Sequence, residues 1–315
     1  MEQALAQLRA AAEPTRLRLL ALCATAQLCV SDLVAVLGQS QPRLSRHLRL
    51  LTEAGLLERA PEGANIYFRV PASGAGGALV RALLAHLPPG HPQLLADARG
   101  AARIAADRAR AASESFARAG ADWEEARALG LATGAIEARL LALLPRRRCG
   151  AFLDIGTGTG RLLQVMSPRV EHALGIDANR AMLALARARI AGRGLANCSV
   201  RHADMYRLPF ADGSFDLVAL QMVLHHAADP EAVLAEAARV LARAGTLVVV
   251  DLASHGQALG HQHPGFGRHQ LRRWLLAAGM TPARFSIVGG RLDVAIWTAT
   301  RAAPASIATP QEIPA

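Results

Sequence analysis

The sequence predicts two domains of different class: a small, mostly helical N-terminal unit closing on a β-hairpin, then an α/β unit built around a parallel sheet. Three observations predict this. The 315 residues are about twice the usual ~150 residues of a domain. A Gly/Pro/Ala-rich stretch over residues 71–93, with Pro71-Ala-Ser-Gly-Ala-Gly-Gly77 and Pro88-Pro-Gly-His-Pro92 around a short helical patch, separates the amphipathic helices of the first unit from the second. From Ala151 onward, short apolar runs alternate with helical segments, as in βαβ units.

Composition narrows the class further. With 52% hydrophobic and 19% charged residues the chain can build real cores, which excludes wholesale disorder. No apolar run reaches the ~20 residues of a membrane helix, and acids and arginines run through the first thirty residues, unlike a secretory signal. A soluble, cytoplasmic protein without membrane association is expected. Cys23, Cys29, Cys149 and Cys198 are few and irregularly spaced, so free thiols are expected rather than a disulfide framework. Every one of the 35 basic residues is arginine and the net charge is +10. Residues 1–90 hold 9 Arg against 6 acids and residues 91–315 hold 26 against 19. Net charge therefore does not locate a nucleic-acid site, and the placement of the arginines decides.

In the N-terminal unit, Glu13-Pro-Thr-Arg-Leu-Arg-Leu-Leu20 starts a helix with Pro14 in the first turn, where its missing N–H is harmless. Ser31-Asp32 is read as the cap of a second helix, Leu33 to Leu37, stopped by Gly38. A third begins near Ser40-Gln41-Pro42 and runs to Gly55. Its Leu44, Leu48 and Leu51 follow i, i+4, i+7 spacing and should face the core, leaving Arg43, Arg46 and His47 outward. No acid occurs from Ser40 to Thr52. Two short strand-like runs about a Pro-Glu-Gly turn, flanked by Arg59 and Arg69, come next as a wing. One amphipathic helix with solvent-facing arginines would mean little; helix, tight turn, basic helix and hairpin in that order predict a winged helix-turn-helix.

These residues resemble the ArsR/SmtB family of winged-helix repressors over about residues 5–71, through Glu13-Pro-Thr-Arg-Leu-Arg-Leu-Leu20, Leu28-Cys-Val-Ser-Asp-Leu33 and Ser40-Gln-Pro-Arg-Leu-Ser-Arg-His-Leu-Arg-Leu-Leu51. The resemblance implies a homodimer on double-stranded DNA, one recognition helix per subunit in successive major grooves of a pseudo-palindromic operator. Gln41, Arg43 and Ser45 are then the base-edge candidates, and Arg46, Arg49, Arg59 and Arg69 the phosphate candidates, with His47 on the same face. Metal sensors of the arsenic type carry Cys-Val-Cys on the second helix, where this chain has Cys29-Val-Ser31; serine is a poor ligand for a soft metalloid. No metal site is expected.

In the C-terminal unit, Ala151-Phe-Leu-Asp154-Ile-Gly156-Thr-Gly158-Thr-Gly160-Arg reads as strand, glycine-rich turn and helix start. A second strand, His172-Ala-Leu-Gly-Ile-Asp177, ends in an acid about 20 residues after the first glycine, where a ribose-binding carboxylate belongs in a doubly wound sheet. A dinucleotide fingerprint needs glycine at position 161, which is Arg161; NAD is disfavoured. Asp154 beside the glycines suits a ligand with cationic groups better than a pyrophosphate.

The whole stretch 112–300 is similar to class I S-adenosylmethionine-dependent methyltransferases, particularly the ubiquinone/menaquinone-biosynthesis-like group. Arg201-His-Ala-Asp204-Met205-Tyr-Arg-Leu-Pro-Phe210, the run Asp212 to His226 and the run Arg239 to Asp251 continue the match. The resemblance implies a Rossmann-like fold, S-adenosylmethionine as cofactor and a small-molecule methyl acceptor. It assigns the ribose hydroxyls to Asp177, the passage of the methionine moiety to Gly156 and Gly158, adenine to Asp204 and Met205, and the methyl-transfer side to Gln221, with Asp154, Thr157, Gly160 and Ala178 as further cofactor-binding candidates. His225 or His226 could serve as a base where the acceptor must lose a proton; surface or cap-packing histidines are the alternative. His255, His261, His263 and His269, with Pro264-Gly265-Phe266, read as an active-site lid, and Trp123 as a residue closing over the cofactor or a plain core tryptophan. A regulator that only senses S-adenosylmethionine or its demethylated product stays open beside the enzyme. The expected divisions are 1–90 for the DNA-binding domain, 91–145 for a helical linker and lid, 146–301 for the methyltransferase domain, and 302–315 for a disordered tail.

Overall fold

The computed structural model describes residues 1–88, 90–119, 131–144, 148–255 and 262–301, without the side chains of 114–119. Trp123, His261 and the tail 302–315 lie outside the described residues.

The N-terminal unit comprises α1 (Glu2–Ala11), α2 (Pro14–Thr25), β1 (Leu28–Cys29), α3 (Val30–Leu37), α4 (Gln41–Glu53), β2 (Glu58–Glu62), β3 (Asn65–Arg69), α5 (Gly74–Ala85) and α6 (Pro92–Ala119). Glu13 caps α2 by accepting the Arg16 N–H at 2.8 Å. Helix α3 starts earlier than the Ser31-Asp32 reading: Cys29 is its N-cap, and Asp32, inside the first turn, accepts the Cys29 N–H at 3.0 Å. Gly38 ends α3 in the left-handed region, φ 65°. Leu44, Leu48 and Leu51 of α4 are at most 1% exposed, as their spacing predicts, and pack with Leu19, Leu20, Leu33 and Leu56. The hairpin forms with its turn at Gly63 and Ala64, later than the Pro-Glu-Gly reading, because Pro61 and Glu62 pair with Ile66 and Asn65. β1 adds to β3, giving the order β1-β3-β2.

Helix α6 is not a neutral linker. Buried Asp97 takes a two-pronged ion pair from Arg18 at 2.7 and 2.8 Å, and Arg108 reaches Asp32 at 2.7 Å and the Tyr67 hydroxyl at 2.8 Å. Its Ala101 belongs to the N-terminal core, and its other side runs along the second unit.

The second unit comprises α7 (Thr133–Leu143), β4 (Cys149–Ile155), α8 (Arg161–Met166), β5 (Val170–Asp177), α9 (Arg180–Gly192), β6 (Cys198–His202), β7 (Phe215–Gln221), α10 (Pro230–Val240), β8 (Leu241–Leu252), α11 (Arg268–Ala277), β9 (Met280–Val288) and β10 (Val294–Arg301). Among the described residues the sheet order is β6-β5-β4-β7-β8-β10-β9. The first five strands are parallel, but β10 runs antiparallel between β8 and β9. The sheet is therefore mixed: the link from β9 to β10 is too short for a crossover helix and can only join antiparallel neighbours. Successive residues of β4 point to opposite faces, Phe152 into one core and Leu153 into the other, and both are buried. From β4 the chain winds first toward β5 and β6 and later toward β7, so a crevice opens beyond the carboxyl end of β4. No helix of the described residues is long and apolar enough to cross a membrane.

Candidate cofactor and DNA sites

The glycine turn sits in that crevice. Gly156, Gly158 and Gly160 all have positive φ, 70°, 52° and 73°, a region costly for side-chain-bearing residues. A Cβ on Gly158 would point into open space, whereas one on Gly160 would press within 3.1 Å of the Ala186 methyl. Gly158 thus keeps the crevice open, and Gly160 lets the turn approach α9.

Asp177 ends β5 and closes the turn. Its Oδ2 accepts the Gly158 N–H at 2.9 Å and its Oδ1 accepts the Asn179 N–H at 2.8 Å. Burial raises its pKa, opposed by those two hydrogen bonds and by His202. Neighbouring Ala178 is exposed at the crevice edge. Asp154 is 1% exposed; Thr157 donates its hydroxyl to Oδ2 at 2.7 Å, while Oδ1 is buried without a hydrogen-bond partner. Burial, and secondarily the charge of Asp177, pushes its pKa up to about 7, against the Thr157 hydrogen bond. Gln221, at the end of β7, also buries an unsatisfied acceptor, Oε1. Both orphans are acceptors. They fit a ligand rich in donors and positive charge, such as the ammonium and sulfonium of S-adenosylmethionine, and misfit a pyrophosphate.

Asp204 and Met205 follow β6. The Asp204 carboxylate, exposed, accepts the Tyr206 N–H at 2.9 Å, and the Tyr206 hydroxyl accepts the Ala228 N–H at 2.7 Å, tying the loop after β6 to the loop after β7. Met222, next to Gln221, has φ 53°. Such strain in a non-glycine residue gathers at functional sites, and sequence patterning carries no signal for it.

The two candidate bases separate. His225 is 0% exposed and its Nδ1 lies 2.6 Å from Asp251 Oδ1. The same buried carboxylate accepts the Leu224 N–H at 2.9 Å and the Leu252 N–H at 2.8 Å, so His225 and Asp251 fasten the loop after β7. The His225 ring is withdrawn from solvent and is held by Asp251 through Nδ1. His226 is exposed, its ring 4.1 Å from that of His225. His263 donates its N–H to the His225 carbonyl at 3.1 Å and packs 5.5 Å from Phe266, which brings part of the His-rich segment onto this loop. His255 joins the same segment through its N–H to Pro264, whereas His269 lies on α11.

The DNA candidates also divide. Gln41, Arg43, Ser45, Arg46 and Arg49 are exposed on α4, with Arg49 loosely paired to Glu53 at 3.8 Å. His47 turns toward Glu13, 3.8 Å away, and burial holds its pKa below the usual value. Arg59 and Arg69 face the second domain. Both line a crevice with His172 and Ser199, and Arg69 pairs with Glu58 at 2.7 Å and hydrogen-bonds Ser199. Arg69 is thus engaged between the domains, Arg59 stays exposed beside the same crevice, and α4 presents an open row of arginines.

Sequence reading missed that interface. Gln27 accepts the Val200 N–H of the edge strand β6 at 2.9 Å, and Arg187 of α9 makes a buried ion pair with Glu62 of the wing while stacking 3.8 Å from the Tyr67 ring centre. Glu62 in an exposed-looking hairpin and Arg187 in a solvated-looking helix gave no periodic signal.

Comparison with known proteins adds the family evidence. Residues 13–59 match the model of bacterial regulatory proteins of the arsR family, and residues 153–249 match a methyltransferase domain. An uncharacterized methyltransferase, YcgJ, of Bacillus subtilis is 34% identical over 99 residues, 31% of this chain and 39% of that protein. The demethylmenaquinone methyltransferase of Thermus thermophilus is 42% identical over 102 residues, 32% and 46% of the two chains. The chain thus spans under half the length of these relatives. A chain from a Haloferax volcanii complex between a methyltransferase activator and a methyltransferase superposes with a TM-score of 0.51 at 19% identity, over 60% of this chain and 97% of that one, and shares the fold.

Proposed function

Because the chain joins an arsR-family regulatory segment at residues 13–59 to a methyltransferase domain at residues 153–249, we propose that it is a DNA-binding regulator whose C-terminal domain methylates a small molecule from S-adenosylmethionine. The observation that carries the cofactor reading is the closure of the positive-φ glycine turn on Asp177, beside the orphaned acceptors of Asp154 and Gln221. When bound, the cofactor supplies an electrophilic methyl group on a sulfonium. Asp177 binds the ribose hydroxyls with Ala178 beside it, Gly156, Thr157, Gly158 and Gly160 cradle the methionine end, Asp154 meets its ammonium, and Asp204 and Met205 hold adenine. Gln221 orients the acceptor side, and His226 removes a proton from those acceptors that must lose one. Most of the acceleration then comes from alignment and exclusion of water.

On the DNA side, a cytoplasmic homodimer sets α4 of each subunit in successive major grooves of a pseudo-palindromic operator, with Gln41, Arg43 and Ser45 at base edges and Arg46 and Arg49 on phosphates. A second reading, a regulator that only senses S-adenosylmethionine or its demethylated product, draws support from one contact. Helix α9 begins three residues after Asp177 and carries Arg187, which grips the wing at Glu62. Incubation with methyl-labelled cofactor and a fractionated small-molecule extract separates the two. A labelled product supports the enzyme, while cofactor binding without turnover removes that reading and leaves the sensor.

A further inference from the structure

The crevice between the domains holds a cavity of about 550 Å³ on the side of the sheet where β5 and β6 begin, away from the glycine turn. That is well within the ~300–1,000 Å³ of small-molecule pockets. Its apolar lining includes Cys23, Ala26, Val70, Pro71, Ile190 and Cys198. Its charged lining is Arg69, Arg81, Arg148, Glu171, His172 and Arg187.

The counter-ions decide what this lining wants. Arg69 and Arg187 are neutralised by Glu58 and Glu62. Arg81 donates only to the carbonyls of Pro71 and Ala72, and Arg148 only to that of Val170; among the described residues neither lies in an ion pair with a carboxylate. Glu171, exposed at the same rim, leaves an excess of one positive charge. His172 feels this field, since burial first and then Arg81, Arg69 and Arg148 hold it below the usual imidazole range, against Glu171. Arg81 and Arg148 are exposed and come from different domains, Arg81 from α5 and Arg148 from the residue before β4.

We propose that this inter-domain cavity is a binding site for a small amphiphilic organic anion, with its apolar body inside against Val70, Pro71 and Ile190 and its carboxylate, sulfonate or phosphate head at the rim between Arg81 and Arg148. Such a ligand touches both domains at once, so it reports on their seating without entering the cofactor crevice.

The test uses the full chain and 1-anilinonaphthalene-8-sulfonate as the probe. One probe per chain is expected, with blue-shifted emission, displaced by simple aromatic carboxylates and not by S-adenosylmethionine. The double variant Arg81→Gln/Arg148→Gln should bind it at least tenfold more weakly, and Ala196→Trp, which fills the cavity without removing a charge, should abolish binding. Retained circular dichroism and cofactor binding in both variants exclude misfolding. Displacement by S-adenosylmethionine, or undiminished binding in both variants, would overturn the proposal. Failure of the probe to bind the parent protein would overturn it too, while leaving the methyl-transfer reading untouched.

Discussion

Arg187 of the methyltransferase domain lies buried against Glu62 of the wing, 9% and 6% exposed, with its guanidinium over the Tyr67 ring. One ion pair therefore joins the helix after Asp177 to the hairpin of the N-terminal unit. Removing one partner of such a pair strands a charge in a poorly solvated place, whereas replacing both with apolar groups does not. Glu62→Ala should cost about 3–5 kcal/mol, and Glu62→Leu/Arg187→Met much less. Urea unfolding of the three proteins checks this; equal midpoints for the single and double variants contradict it.

A second expectation concerns DNA. Arg43 is exposed near the start of α4, and a bidentate contact to guanine is worth about 1–3 kcal/mol of discrimination. Arg43→Ala should therefore lose preference for operator over random DNA. Arg49→Ala should weaken both equally and flatten the salt dependence. Arg69→Ala, its side chain engaged with Glu58 and Ser199, should change DNA affinity less than Arg49→Ala. Fluorescence anisotropy at several salt concentrations measures all three, and identical behaviour of every variant would refute the assignment of α4.

Asp154 sets a pH dependence. Its folded pKa of about 7 lies above its ordinary 3.8, so the folded chain holds an extra proton between those limits. Stability contributed by this group falls as pH rises through that window. A cationic ligand favours the ionised carboxylate, so cofactor affinity should rise with pH up to about 7, by at most about tenfold per unit, and level off above. Asp154→Asn should bind more weakly and lose this slope. Calorimetry in buffers of different ionisation enthalpy reads the released proton directly; a slope unchanged in Asp154→Asn would count against the assignment.

The histidine pair should separate in function. His225→Asn breaks a buried hydrogen bond to a carboxylate and should lower stability by about 1.5–3 kcal/mol. The exposed His226→Ala should stay within about 0.5 kcal/mol while removing the acidic limb of the pH–rate profile for acceptors that lose a proton. An unchanged pH profile in His226→Ala would exclude it as the base.

Much of this architecture was legible in the residues because local rules governed it. Leu44, Leu48 and Leu51 have one period and one buried face, and Gly158 with Asp177 sits at a spacing that the βαβ unit dictates. What escaped depends on contacts between distant segments. The Asp251 carboxylate that claims His225 comes from 26 residues away, the antiparallel insertion of β10 is a consequence of a short connection, and the Arg69–Ser199 and Arg187–Glu62 contacts span 130 and 125 residues. Amphipathic patterning tells which side chains leave solvent, not which partner receives them.

Calorimetric titration of the full chain measures most directly the proposed hold of Asp177 and the glycine turn on a cationic adenosine donor. One S-adenosylmethionine per chain is predicted, at least tenfold weaker in Asp177→Ala, with no heat from NAD. A parent protein silent toward S-adenosylmethionine, or one that takes up NAD in its place, would contradict the account.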